Sequence, residues 1–237
     1  MKYLKLLLTN PILFLKKVVR RVMWLYNLYI LKNLYHVEHT KFTKDKGDKI
    51  IRYNYPELNE NSIVFDLGGY VGDFTQAIND KYGCKVYLFE PHPQFYATCA
   101  ERFANNKNVT LLNFGISDAN GQFSLFDNNC SSSFFNPSIT NKKNIDCKVR
   151  EILSVLEDLN IKKIDLMKIN IEGGEYPLLI HLAKQNSLDL VKEYQIQFHN
   201  FIPDAIPKRD NIIEYLSQTH KRTWCYYFVW ENWKKFK

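Results

Sequence analysis

Short apolar runs alternate with longer amphipathic stretches along most of the chain. Residues 63–65, 86–89, 109–114 and 164–169 are apolar runs too short for helices and bounded by polar or glycine-rich turns, the signature of buried parallel strands. Between and after them, helical spacing predicts helices over 73–82, 93–104, 152–159 and 175–185. A further strand over 191–198, a helix over 208–219 and two closing strands, 224–227 and 228–234, complete the series. Strands alternating with helices predict an α/β fold, a doubly wound, mostly parallel sheet of seven strands with a hairpin at its end. The rhythm breaks after residue 118. Asn120-Gly121 is a hairpin signal, and with the runs 123–126 and 145–150 it predicts a small β insert near 120–150.

The first 50 residues read differently. Asn10-Pro11 suits a helix start, with Asn10 at the N-cap and Pro11 in the first turn. From there Leu13, Lys17, Arg20, Arg21, Trp24, Leu25 and Leu28 suggest an amphipathic helix with a basic face. Residues 1–50 carry eleven Lys/Arg against three Asp/Glu, while the remainder carries 21 against 22. The basic excess therefore belongs to this extension and not to the body. Recurrent cations and a longest apolar run of five residues, 22–26, exclude a spanning helix, which needs roughly 18 or more apolar residues. Thr9-Asn10-Pro11 interrupts any signal-peptide core. The expectation is an anionic membrane surface contacted through residues 1–35. The competing use of the same helix is to cover a sheet edge or make a contact between copies in a homo-oligomer. Nucleic acid is disfavoured, because the cations concentrate on one apolar helix. The expected organisation is a helical extension and linker over 1–50, the linker running on to about residue 61, and a main domain over 51–237.

Five cysteines are scattered without a Cys-x-x-Cys pair and are odd in number, which argues against a metal cluster or a disulfide framework and fits a reducing, cytoplasmic setting.

Candidate chemistry concentrates at two strand ends. The first is Asp66-x-Gly68-Gly69-x-x-Gly72, followed about twenty residues on by Glu90 at the end of the next apolar run. That is the spacing at which a Rossmann-type unit sets a carboxylate on a ribose hydroxyl pair. An acid ahead of the turn would repel a pyrophosphate. S-adenosyl-L-methionine (SAM) has no phosphate, and its amino group suits a carboxylate, so SAM is favoured over NAD. The second stretch is Met167-Lys-Ile-Asn-Ile-Glu-Gly-Gly-Glu-Tyr-Pro177. In open α/β sheets ligands bind at the carboxyl ends of strands, and both motifs lie there. His199, at the end of the following strand, is the first choice of general base, ahead of His92 and His181. Glu172 and Glu175 are candidates for substrate binding, base or metal ligand, with a helix-start role as the plain alternative for Glu175. No spacing singles out a metal site. Lys168 on a buried strand needs a partner and is otherwise functional. Ser131, Ser132 and Ser133 lie in a loop suited to a lid or a glycan contact.

The segments VFDLGGYVGDFT, LFEP, GISDANG, the Ser-Ser-Ser loop and above all IDLMKINIEGGEYPLL together resemble the FkbM-type SAM-dependent methyltransferases over about residues 60–200. The resemblance implies a Rossmann-like methyltransferase fold and O-methyl transfer, often to sugar or polyketide hydroxyls. By matching positions it implies that Asp66, Gly68, Gly69 and Gly72 form the methionine-end loop, that Glu90 binds the ribose, and that residues 115–118, with Ser117 and Asp118, edge the adenine. The family usually has Asp where this chain has Asn170. Asn can hydrogen-bond but cannot act as a base and is a weaker metal ligand. The reading is a cytosolic SAM-dependent O-methyltransferase acting on a sugar hydroxyl of a glycan or glycolipid precursor at a membrane surface. The rivals are a non-catalytic SAM-fold protein, a membrane-surface scaffold and an NAD-dependent oxidoreductase.

Overall fold

The computed structural model describes residues 11–30, 33–126 and 144–236. Its centre is a seven-stranded sheet whose order follows from where the apolar runs fall. The strands are β1 (Ile63–Leu67), β2 (Lys85–Phe89), β3 (Val109–Leu112), β7 (Leu166–Ile169), β8 (Glu193–Ile196), β9 (His220–Tyr226) and β10 (Trp230–Lys235), in the order β3-β2-β1-β7-β8-β10-β9. All pairings are parallel except those of β10 with β8 and β9. The chain builds outward from β1 on one side and restarts at β7 on the other. The β1–β7 boundary is thus the switch point where such sheets bind ligands.

Alternation along β1 and β7 feeds two cores. Phe65, Leu67, Met167 and Ile169 face α5 (Ile152–Asp158), α6 (Glu175–Lys184) and α7 (Ala205–Leu216), whose Val155, Leu179 and Ile212 are buried there. Val64 and Leu166 face the opposite side, with Phe74 and Ile78 of α3 (Asp73–Tyr82). Leu88 on that side meets Cys99 and Phe103 of α4 (Pro93–Phe103). Helices on both faces make the fold doubly wound, as the sequence pattern implied.

Three differences from the sequence reading have physical causes. The run 109–114 divides: β3 ends at Leu112, and β4 (Gly115–Ser117) joins a second sheet with β5 (Gly121–Phe126) and β6 (Asn144–Glu151). In that sheet β6 lies between the others, so Asn120-Gly121 does not close a hairpin. Instead the Asn120 Oδ1 accepts a hydrogen bond from Glu151 N at 2.9 Å. The expected linker is also structured. Beyond α1 (Pro11–Leu25) and a π-helical turn, Tyr26–Ile30, helix α2 (Leu34–Lys44) buries Phe42 against Val229 and Trp230. Tyr55 is buried too and donates to Gln195 at 2.7 Å. Isolated aromatics in a polar stretch carry no periodicity, so composition alone read this segment as unpacked.

On the α3 side of the sheet, Asp66 and Lys168 are register partners on β1 and β7. Lys168 Nζ lies 2.9 Å from Asp66 Oδ1, and the two side chains are 4% and 0% exposed. Lys168→Met would strand a buried carboxylate and is expected to cost about 3–5 kcal/mol. The double change Lys168→Met with Asp66→Leu should recover much of that loss. Urea unfolding of the wild type and the two variants checks both.

Candidate active site

The carboxyl end of β1 leads into residues 68–72, and the carboxyl end of β7 into residues 170–174. The two loops touch. Gly68 has φ +78°, and a Cβ there would fall 2.1 Å from the Asn170 carbonyl oxygen, so no side chain fits. Gly72, φ +83°, caps α3 in the left-handed region, and its missing Cβ leaves room for Phe103. Each loop also holds one non-glycine residue at positive φ, Tyr70 at 52° and Glu172 at 53°. Such conformations cost about 1–2 kcal/mol and persist where the surroundings impose them.

Lys168 is the brace of this region. Its Nζ donates to Asp66 Oδ1, to Gly68 O at 2.7 Å and to Leu67 O at 3.4 Å. Asp66 Oδ2 accepts from Thr75 Oγ1 at 2.7 Å. The Lys168 ammonium thus has three acceptors within reach, and Asp66, fully buried, is bonded through both oxygens. Together they hold the loop that the other strand end meets.

Glu90 follows β2 and is nearly buried. Its carboxylate accepts from Tyr70 N at 2.7 Å and His92 N at 2.8 Å. Burial outweighs those two bonds and pushes its pKa up to about 7. Further donors, such as a vicinal pair of hydroxyls, would satisfy its remaining lone pairs. Asn170 Oδ1 is buried with no hydrogen-bond partner among the described residues, an acceptor left for a ligand's donor. Ser117 lies on β4, hydrogen-bonded to Asp118 at 2.9 Å, and Asp118 is exposed. Gly115 packs beside Pro91, which brings that strand next to the Glu90 turn. Ser131, Ser132 and Ser133 lie outside the described residues.

The second half of the site joins the start of α6 to the loop after β8. Glu175, fully buried, accepts from Gly173 N at 2.8 Å, from His199 N at 2.9 Å and from the His199 ring Nδ1 at 3.0 Å. Tyr176 donates to His199 O at 2.8 Å, pinning the same residue from a second side. The His199 Nε2 faces Glu172 Oε1 at 3.6 Å. Burial lowers the His199 pKa, but the hydrogen bond and the charges of Glu175 and Glu172 outweigh it, so it stands above the ordinary 6.5. Glu172 is raised, chiefly by burial. Glu175, a candidate for substrate binding, base or metal ligand with a helix-start role as the alternative, has no exposure, and the bonds it accepts come from Gly173 at the helix start and from His199. Phe201 is exposed, and its ring lies beside this group, with its centroid 5.2 Å from that of the His199 ring. Nothing in the sequence marked it, since a lone Phe in a loop has no pattern. Among the described residues, no cluster of three His, Cys, Asp or Glu is arranged to hold a metal ion.

A protein-family model described as "Methyltransferase FkbM domain" matches residues 66–223, from Asp66 through the sheet into β9. This chain belongs to the FkbM methyltransferase family. Among curated relatives, "Methyltransferase sdnD" of Sordaria araneosa is 25% identical over 162 residues, covering 54% of this chain and 62% of that protein. "Probable ribosomal RNA small subunit methyltransferase A" of Methanococcoides burtonii is 29% identical over 77 residues, 32% of this chain and 27% of that protein. The chain thus spans less than two thirds of the length of either relative. Among solved structures, an rRNA methylase from Streptococcus thermophilus is 14% identical, with a TM-score of 0.44 over 76% of this chain and 90% of that one. The matched family is one of methyltransferases, and the cofactor expected from the sequence is SAM. The residues at the switch point fit that cofactor: Glu90 retains acceptor capacity for ribose hydroxyls, and Asn170 Oδ1 lacks the donor that burial demands.

Two outcomes follow for Glu90. Glu90→Ala is expected to raise the SAM dissociation constant about tenfold or more, through loss of charge-assisted hydrogen bonds, as calorimetry would read. Because its folded pKa lies above the ordinary 4.5, the native state holds this proton more tightly than the unfolded chain does. Its contribution therefore falls as pH rises from about 4.5 through about 7. Glu90→Gln should flatten the decline of stability across that window, measured by denaturant titration at stepped pH.

Proposed function

We propose that this enzyme transfers the methyl group to a hydroxyl of a sugar in a glycan or glycolipid precursor, working in the cytosol at a membrane surface. The observation that carries the reading is the Glu175–His199–Glu172 constellation beside the switch point. SAM, when bound, supplies an electrophilic methyl on a sulfonium. A hydroxyl is a poor nucleophile until its proton is taken. Glu175 accepts the Nδ1–H of His199, fixing the tautomer whose Nε2 is free to accept that proton. Glu172 stands on the Nε2 side, placed to stabilise the imidazolium or to hold a neighbouring hydroxyl. Phe201 offers a flat apolar edge against which the C–H face of a sugar ring can lie. Asn170 takes no proton; its amide oxygen serves as an acceptor only. In support of the cytosolic setting, the four described cysteines are all free thiols, three of them buried.

The test is transfer of labelled methyl groups to sugars, glycolipids and RNA. Transfer to sugar hydroxyls is the expected result; transfer to RNA alone would sink the glycan reading. With an active acceptor, His199→Gln should slow turnover by about 10²–10⁴-fold while SAM affinity stays within about twofold. The rate should rise with pH through an ionisation above 6.5, because the neutral imidazole is the active form. Glu175→Gln should move that inflection to lower pH and slow the reaction. An unchanged rate in His199→Gln would remove the imidazole from the mechanism.

A further inference from the structure

Helix α1 buries none of its fifteen residues. Its Trp24 ring turns toward α2, 4.2 Å from His36 and 5.2 Å from His39, and fixes which side of the helix meets the protein. The other side is apolar and open. Ile12, Leu15, Val19, Val22 and Met23 are each more than half exposed. At 3.6 residues per turn these five fall within about 100° of arc. Val18 and Leu25 continue the surface on one flank, followed by Arg21; Lys16 and Arg20 border the other. The exposed rings of Tyr26 and Tyr29 extend it through the π-helical turn.

We infer that this face of α1 lies flat on an anionic lipid bilayer, with Ile12, Leu15, Val19, Val22 and Met23 among the acyl chains and Lys16, Arg20 and Arg21 at the headgroups. The charge pattern selects the occupant. Residues 1–37 contain seven Lys/Arg and no Asp or Glu, so two such helices placed together would repel. An apolar strip bordered by cations matches the layering of an anionic membrane, apolar inside and negative at its rim. No helix among the described residues is long and apolar enough to cross one. The fold uses the Trp24 ring against α2 and turns the opposite side outward. The inference stands on α1 alone and is independent of the acceptor.

The experiment is co-sedimentation of the full chain with vesicles of phosphatidylcholine containing about a third phosphatidylserine, at low salt, alongside light scattering. The expected result is binding that weakens at least tenfold in pure phosphatidylcholine or at high salt, and that Val19→Glu with Val22→Glu abolishes. SAM binding by the double variant should be unchanged, which shows that the body is folded. Three results would overturn the inference: no binding to anionic vesicles; binding that survives the double variant; or a dimer that the same variant dissolves, which would make a second copy the cover of this face. Each is read without any acceptor, so the vesicle result and the glycan result can fail separately.

Discussion

Everything at the binding edge of this enzyme hangs on one buried ion pair. Lys168 and Asp66 sit side by side on the two strands where the winding of the sheet reverses, and the lysine reaches past its partner to the carbonyls of Leu67 and Gly68. The Leu67 carbonyl already accepts from Asn170 N at 3.1 Å; the lysine adds a second donor there and supplies one to the Gly68 carbonyl at 2.7 Å. It also sets the direction of the glycine loop, and with it the close approach of Gly68 to Asn170 that admits no Cβ. The charge is costly to bury, and its value lies in geometry: a hydrophobic pair of equal volume would fill the space without fixing two carbonyls.

From that brace the chemistry divides along the sheet. Glu90 lies toward β2, and the carboxylate–imidazole pair toward β8, with residues 170–174 as the wall between. The two halves use opposite electrostatics. Burial discourages charge on Glu90, whereas two carboxylates encourage it on His199. One group is thereby suited to meeting neutral hydroxyls and the other to receiving a proton. The left-handed backbone at Glu172 sits at the junction, held there by the turn that both halves share.

The parts of this structure that were legible in the sequence are those written in repeated local patterns. The alternation of apolar runs gave the strand and helix series, and glycine clustering located both loops. Spacing alone placed Glu90. What was hidden depends on tertiary adjacency. That Lys168 meets Asp66 and not the nearby Glu172 or Glu175 requires knowing that β1 and β7 are neighbours in register. That Glu175 is inside and His199 its ligand requires the turn between β8 and α7. Phe42 and Tyr55 anchor a stretch that looks like linker, because one aromatic ring in a polar segment is enough when a groove already exists to take it. The Asn120-Gly121 signal misled for the converse reason: the turn is real, but β6 inserts between the strands it joins.

The placement of the four tryptophans has a spectroscopic consequence. Trp224, Trp230 and Trp233 lie on the antiparallel strands β9 and β10, and Trp24 lies at the junction of α1 with α2. The aromatic rings around the switch point are Phe and Tyr, among them Phe89, Phe95, Phe114 and Tyr70. Light absorbed by indole alone therefore excites the far edge of the sheet and the arm, and passes over the cofactor pocket. Any change of indole emission on adding a ligand would be news from the arm or the closing hairpin, carried there through the body of the protein.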